Sequence, residues 1–378
     1  MTAESFGDIP LFREIQKILS SSSGPINTEI ARQVGIAIAT QGTPDPEPSV
    51  EDARAYAEQA RVTEELVAGY TRLEIGEPVR TEAIARGRWV ELTLDGWMWL
   101  LGSLARRFSA QMTELPAQES AAGMGAMMQQ IGPLLIGLQA GTLVGHLATE
   151  AIGPFDPPIP RDDDGHLRFV DRNAMDLARE YNFDRDEFRR WVAAHDVTRN
   201  LVLQSAPWIT RYFRSLFVEV IDAMEIDMGS LEQRLVELQS SGMEGLESAA
   251  GIDPAIPIAE TERHRAALDR LRAFMAALEG YATHTSTAIA EAAGGGSASI
   301  DEGIRRRNAS PSEARNMLSS ILGISFDREL ETSGATFCAA VVKLKGLTSL
   351  NQMWTAPDNL PGLDEIKDPF LWMERVTE

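Results

Sequence analysis

The sequence predicts a mainly α-helical protein with little β structure, and three observations lead to that class. Apolar residues recur at helical spacing over long stretches, as in Ala53, Ala57, Ala60, Val62, Leu66 and Tyr70, and again in Leu268, Leu271, Met275, Leu278, Ala282 and Ile289. A single short run, His166-Leu-Arg-Phe-Val170, has clear strand character. Breakers such as Ser20-Ser-Ser-Ser-Gly-Pro25 and Gln41-Gly-Thr-Pro-Asp-Pro-Glu-Pro48 cut the chain into pieces of helix length.

Taken in order, residues 5–20 and 26–40 read as short amphipathic helices. Three prolines between Pro44 and Pro48 forbid helix or sheet pairing and mark an exposed linker. Ser49 then opens a long helix with a Ser-x-x-Asp start. Segment 80–113 carries Trp89, Trp97 and Trp99, read as core. A Gly- and Met-rich helix is expected over 123–150, where Gly137, Gly141 and Gly145 would let another helix approach closely. The turn Asp162-Asp-Asp-Gly165 lacks the spaced ligands and terminal Glu of a calcium loop and reads as solvated.

Helices are expected at 186–204 and 208–227, separated by Pro207-Trp208, and at 260–292, 311–322 and 329–346. Between them, 239–259 reads as a long surface connection and Gly294-Gly-Gly-Ser297 as a flexible run. The tail holds Trp354 and Trp372, which need burial. Two regions are expected, 1–115 and 116–378, joined in one compact unit.

Composition limits the partners. At 378 residues, 44% hydrophobic and 24% charged, the chain is ordinary globular protein. With 35 basic against 56 acidic side chains, its formal charge of -21 repels phosphate backbones and anionic lipid, so nucleic acid is not an expected partner. A single cysteine, Cys338, excludes an intrachain disulfide and points to a reducing compartment, the cytoplasm. The start of the chain lacks the basic residues and apolar run of a secretory signal. The most apolar stretch, between Gln130 and His146, is too short and too polar to span a bilayer, so no membrane insertion is expected.

Chemistry concentrates in the helix at 186–204. A zinc-protease helix carries His-Glu-x-x-His, with two imidazoles on one face and a carboxylate beside them as general base. Here His195 fills the first position, Asp196 stands where the Glu would be, and Arg199 stands where the second imidazole would be. A guanidinium has no lone pair for a metal. Phe188, Val192, His195, Arg199 and Val202 follow helical steps and share one stripe, so Arg199 must either find a partner or reach water from the helix end. On the helix at 260–292, Glu279 shares a stripe with Met275, Ala282 and Ser286, so its carboxylate faces inward too. His284 lies five residues on, about 140° around the helix from Glu279. The Arg305-Arg306-Arg307 run reads as a solvated helix face or as contact with local acids.

Over most of its length the chain resembles the bacterial zincin-like metallopeptidases, described as hydrolases and in some cases as associated with deazaflavin-coenzyme biosynthesis. The resemblance rests on Phe188-Arg-Arg-Trp-Val-Ala-Ala-His-Asp-Val-Thr-Arg199, Ala206-Pro-Trp208, Leu278-Glu-Gly-Tyr-Ala-Thr-His284 and Trp354-Thr-Ala-Pro-Asp-Asn-Leu-Pro361. It implies a zincin-like multi-helix domain and a zinc ion. His195 would stand at the first ligand position, Asp196 at the general-base position, Arg199 at the second ligand position and Glu279 at the third, with His284 a further site residue. Asp196 is one methylene shorter than Glu, and Arg199 cannot ligate.

The leading reading is therefore a pseudoenzyme, a metallopeptidase-family protein with a degenerate motif. It holds no zinc, Arg199 supplies the missing positive charge beside Glu279, and the pocket is kept for a peptide or small-molecule ligand. The alternatives are a working hydrolase whose metal sits in a rearranged set of His195, Asp196, Glu279 and His284, and a non-catalytic partner-binding or structural scaffold.

Overall fold

Helix caps written into the sequence set most element boundaries. A computed structural model describes residues 24–113, 121–162, 165–227, 229–230, 258–293, 298–308, 312–324 and 328–377. The expected helix at 5–20, the Gly294–Ser297 run, most of the 239–259 connection and part of the acidic turn lie outside them. In chain order the main elements are α1 (Thr28–Thr40), α2 (Val50–Thr71), β1 (Thr81–Ile84), α3 (Arg86–Gly96), α4 (Met98–Thr113), α5 (Ala121–Ala148), β2 (Leu167–Val170), α6 (Asp171–Glu180), α7 (Arg185–Ser205), α8 (Pro207–Ala223), α9 (Glu262–Ala292), α10 (Ala298–Asn308), α11 (Glu313–Leu322) and α12 (Arg328–Lys345), followed by short helical turns to Val376. The protein is mainly α, as the sequence leads one to expect. Among the described residues no helix is long and apolar enough to cross a membrane.

The described chain divides into two compact units. One takes the chain up to Asp45 together with Arg86–Glu150, and the other takes Pro46–Ala85 with Ala151–Glu378. In the first unit, α1 is capped by Asn27, whose side chain accepts from the Ile30 N–H at 3.0 Å. It lies directly on α5 through the glycine stripe. A Cβ at Gly137, Gly141 or Gly145 would come within 2.7 Å of the carbonyl oxygen of Asn27, Ala31 or Gly35. Trp89 and Trp97 meet edge to face at 6.5 Å and are buried, whereas Trp99 is only half-buried.

In the second unit, Ser49 caps α2 by accepting from the Asp52 N–H at 3.1 Å. The strand expected at 166–170 is β2, and it pairs in parallel with β1 from Thr81↔Leu167 to Ile84↔Val170. β1 escapes the sequence reading because Thr-Glu-Ala-Ile is short and only Ile84 in it is buried. Tyr56 of α2 stacks on Phe169 of β2 at 4.7 Å. Arg189 of α7 ties the same layer together, donating to Asp52 of α2 and to Asp171 of α6. This pairing keeps a buried guanidinium from being stranded.

The 31-residue helix α9 runs through the core of this unit, with Ala273–Ala282 buried without interruption. One side of it meets α7 and α8, whose separation at Ala206 follows from Pro207 at the start of α8. On another side it meets α12 at glycine contact. A Cβ on Gly280 would lie 2.2 Å from the Gly334 carbonyl carbon, and one on Gly334 would lie 2.0 Å from the Ala276 oxygen. Trp354 and Trp372 of the tail are both buried. Because this backbone contact sets the position of α9, Gly334→Ala should lower the urea unfolding midpoint by the equivalent of roughly 1–3 kcal/mol. An unchanged midpoint would show that the two helices can separate freely.

Candidate functional site

The N-terminus of α7 is fixed by Asp184, which accepts from the Asp186 and Glu187 N–H groups at 3.0 Å each. From there the helical repeat carries Phe188, Val192, His195 and Val202 into the core, with Arg199 half-buried among them. His195 is bonded through Nδ1 to the Trp191 carbonyl oxygen at 3.0 Å. A carbonyl can only accept, so Nδ1 carries the proton and Nε2 keeps the lone pair. Burial, reinforced by the Arg199 cation, holds the imidazole pKa down at about 3, so the ring is neutral at physiological pH. The Trp191 ring packs on it at 3.9 Å and donates its Nε1–H to Asp301 of α10 at 2.6 Å.

Arg199 points inward. Its Nε donates to Glu279 Oε1 at 2.8 Å and its Nη2 to Glu279 Oε2, a two-pronged pair from α7 to α9. Its Nη1 donates to Asp196 Oδ1 at 2.7 Å. The Phe155 ring lies 5.9 Å from the guanidinium carbon. One guanidinium cannot neutralise two carboxylates. Burial therefore pushes the Asp196 carboxyl up to about 7, with Glu279 and Asp156 adding to the rise and Arg199 opposing it. Space for this carboxylate comes from Gly153, where a Cβ would sit 2.0 Å from Asp196 Oδ2.

A cavity of about 450 Å³ opens beside this group, lined by His195, Asp196, Arg199 and Glu279 among others. Another of its lining residues, Asp156, accepts from the Ile152 N–H at 3.1 Å, pairs with Arg315 of α11 and lies 3.7 Å from Arg307 of α10. Burial alone would raise the Asp156 carboxyl, but Arg315 and Arg307 outweigh it and hold it below the usual carboxylate range.

Four of the five residues singled out in the sequence thus meet: His195, Asp196, Arg199 and Glu279. The fifth, His284, is not brought to them. Its Nε2 shares a hydrogen bond with the Tyr70 hydroxyl at 2.9 Å, and the α9 side chains that line the cavity beside Glu279 are Thr283 and Thr287. Asp156, Asp301 and Arg315 escape the sequence reading, and Trp191 enters it only as part of the Phe188–Arg199 motif. Asp156 sits in a segment read only as a breaker, where an Asp beside prolines is an ordinary turn residue and carries no signal of a site. The Arg305–Arg307 run is a mixed case. Arg305 and Arg306 pair with Glu302 on their own helix, while Arg305 and Arg307 also line the cavity.

A family model described as zincin-like metallopeptidase matches residues 26–373. The chain belongs to that family. Among solved structures, this zincin-like metallopeptidase-family chain is similar to a crystal structure from Chloroflexus aurantiacus described as "a putative hydrolase with a novel fold". The likeness covers 93% of this chain and 99% of that one, with a TM-score of 0.67 and 23% sequence identity, and it bears on the fold. No curated protein matches the chain.

Zinc is what membership of the zincin-like family implies, and the donor set can be tested against it. A zinc site needs lone pairs from three or four groups at about 2.0–2.3 Å. His195 offers one on Nε2, but both oxygens of Glu279 and one of Asp196 already face N–H groups of Arg199. Among the described residues, no three His, Cys, Asp or Glu side chains are grouped so as to hold a metal ion. The arrangement as it stands does not fit zinc, since a cation of the chain itself lies on the carboxylates.

Two outcomes follow from this geometry. Folded Asp196 keeps a proton up to about pH 7, whereas the unfolded chain releases it near the ordinary value of 3.8, so this group's contribution to stability falls as pH rises through that interval. Asp196→Asn should lose the slope, gaining on the wild type by up to about 1.4 kcal/mol per pH unit in urea titrations within the window. Parallel curves would contradict the assignment. Separately, Gly153→Ala should cost roughly 1–3 kcal/mol by driving the Asp196 carboxylate off Arg199. In an Asp196→Ala background the same change should cost little, and an equal cost in both backgrounds would place the clash elsewhere.

Proposed function

We propose that this zincin-like metallopeptidase-family protein lacks zinc peptidase activity and uses the guanidinium of Arg199 where the family uses a metal ion. The observation that carries the reading is the two-pronged pair between Arg199 and Glu279. In the family resemblance these are the second and third ligand positions. A fixed positive charge between Asp196 and Glu279 offsets part of their negative charge without a metal and leaves Asp196 engaged by a cation of the chain. The cavity beside it is then a binding pocket for a peptide or other small molecule in a cytoplasmic protein, with no role for nucleic acid.

Two observations weigh against the other readings. A rearranged metal site would draw on His284, whose Nε2 is taken up with Tyr70. A pure scaffold would have filled the cleft with side chains, yet about 450 Å³ stays open beside the pair. The test is zinc titration of the wild type beside an Arg199→His, Asp196→Glu double variant, followed by metal analysis. The wild type should take up no stoichiometric zinc, and the double variant should bind it tightly. Stoichiometric zinc in the wild type purified without chelator would overturn the reading.

A further inference from the structure

The charged groups of the cavity are engaged with one another. Four arginines and four acidic side chains line it. Arg199 holds two of the acids, Asp156 answers two of the arginines, Asp301 accepts from the Trp191 indole, and Arg305 pairs with Glu302 on its own helix. A charged ligand entering here would give up its water to face groups that already have partners.

The groups left over are uncharged. His195 is only 4% exposed, and its Nδ1 is taken by the Trp191 carbonyl. Its Nε2 has no partner among the described residues, yet it is not sealed in, so this lone pair opens on the cavity that the ring lines. The hydroxyls of Thr283 and Thr287, which line the same cavity, are likewise unpartnered among the described residues. The course of the helices relates them to His195. α7 and α9 run in opposite senses, since Arg199 meets Glu279 while Trp191, two turns earlier, reaches Asp301 beyond the end of α9. One turn from the Arg199–Glu279 pair, His195 on α7 and Thr283 on α9 therefore stand at the same level. The rest of the lining includes the apolar side chains of Ile152, Val192 and Ile304, and the volume of about 450 Å³ suits a small molecule. A buried acceptor without a donor is unfavourable, and a ligand that brings the missing hydrogen relieves it.

We propose that the cavity takes an uncharged molecule with an apolar body and one hydroxyl or amide N–H group, which donates to His195 Nε2 and exchanges hydrogen bonds with Thr283. This assignment rests on the reading of the cavity as a metal-free ligand pocket, because a zinc ion would occupy the same lone pair.

The experiment is a ligand-observed NMR titration of the intact protein with benzyl alcohol, benzamide, benzyl methyl ether, benzoate and benzylamine, with metal analysis of the same sample. Fragments of this size are expected to bind in roughly the millimolar range. At least one of the two neutral donors, the alcohol and the amide, should bind saturably, and the tighter of them tells hydroxyl from amide. The ether, which keeps the shape of the alcohol and lacks its hydrogen, should bind about three- to tenfold more weakly than the alcohol if the hydroxyl is preferred. Benzoate and benzylamine should bind at least about tenfold more weakly than the better neutral donor. Thr283→Val, at a half-buried position, should weaken that donor about threefold, and His195→Phe should abolish its advantage over the ether. No saturable binding of either neutral donor, an ether that binds as tightly as both, or a charged probe that binds as tightly as the better of them would each overturn the proposal. Any of these results with zinc-free protein leaves the Arg199 reading standing, whereas stoichiometric zinc in the wild type would overturn both.

Discussion

One guanidinium shared by two buried carboxylates is the constraint on which the candidate site depends. Arg199 reaches across from α7 to Glu279 on α9 and back to Asp196 one turn away on its own helix. Removing one member of such a buried set typically costs about 3–5 kcal/mol, because the remaining charges lose their only compensation in a medium that solvates them poorly. Two acids and one base leave the group one negative charge in excess. Burial, with the charges of Glu279 and Asp156 adding to it, pushes the Asp196 carboxyl toward neutrality, while Asp156, flanked by Arg307 and Arg315, is held ionised.

The surrounding fold makes this arrangement possible by bringing backbones unusually close. Gly280 and Gly334 let α9 and α12 touch, which holds Glu279 at the level of Arg199. Gly153 leaves room for the Asp196 carboxylate that a methyl group would occupy. The Trp191 carbonyl fixes the tautomer of His195, and the Trp191 indole anchors α10 through Asp301, which brings Arg305 and Arg307 to the cavity. Each of these is a local requirement with a single cause. Together with Arg315 of α11 they place five helices around one pocket.

Much of this was legible in the chain. Helical periodicity placed His195 and Arg199 on one stripe and turned Glu279 inward, and the cost of a lone buried charge left Arg199 either a partner or an escape to water, of which the structure shows the partner. Ser49, Pro207 and the spaced glycines of α5 marked cap, break and close approach in plain residue types. What was not legible depends on long-range contact. β1 is too short and too polar to announce itself, and only its pairing with β2 makes it a strand. Asp156 and Arg315 lie far apart in sequence and meet through tertiary packing alone. The helical repeat separated His284 from Glu279, but nothing local to α9 could name Tyr70 as its partner.

In the proposed reading, Arg199 stands in the place of a metal ion in a zincin-like scaffold. Crystals grown with zinc present, with diffraction recorded on both sides of the zinc absorption edge, test it most directly. Arg199 is expected to lie between Glu279 and Asp196 with no anomalous peak beside them. A peak at about 2.0–2.2 Å from His195 Nε2 and a Glu279 oxygen, with the guanidinium swung aside, would contradict it.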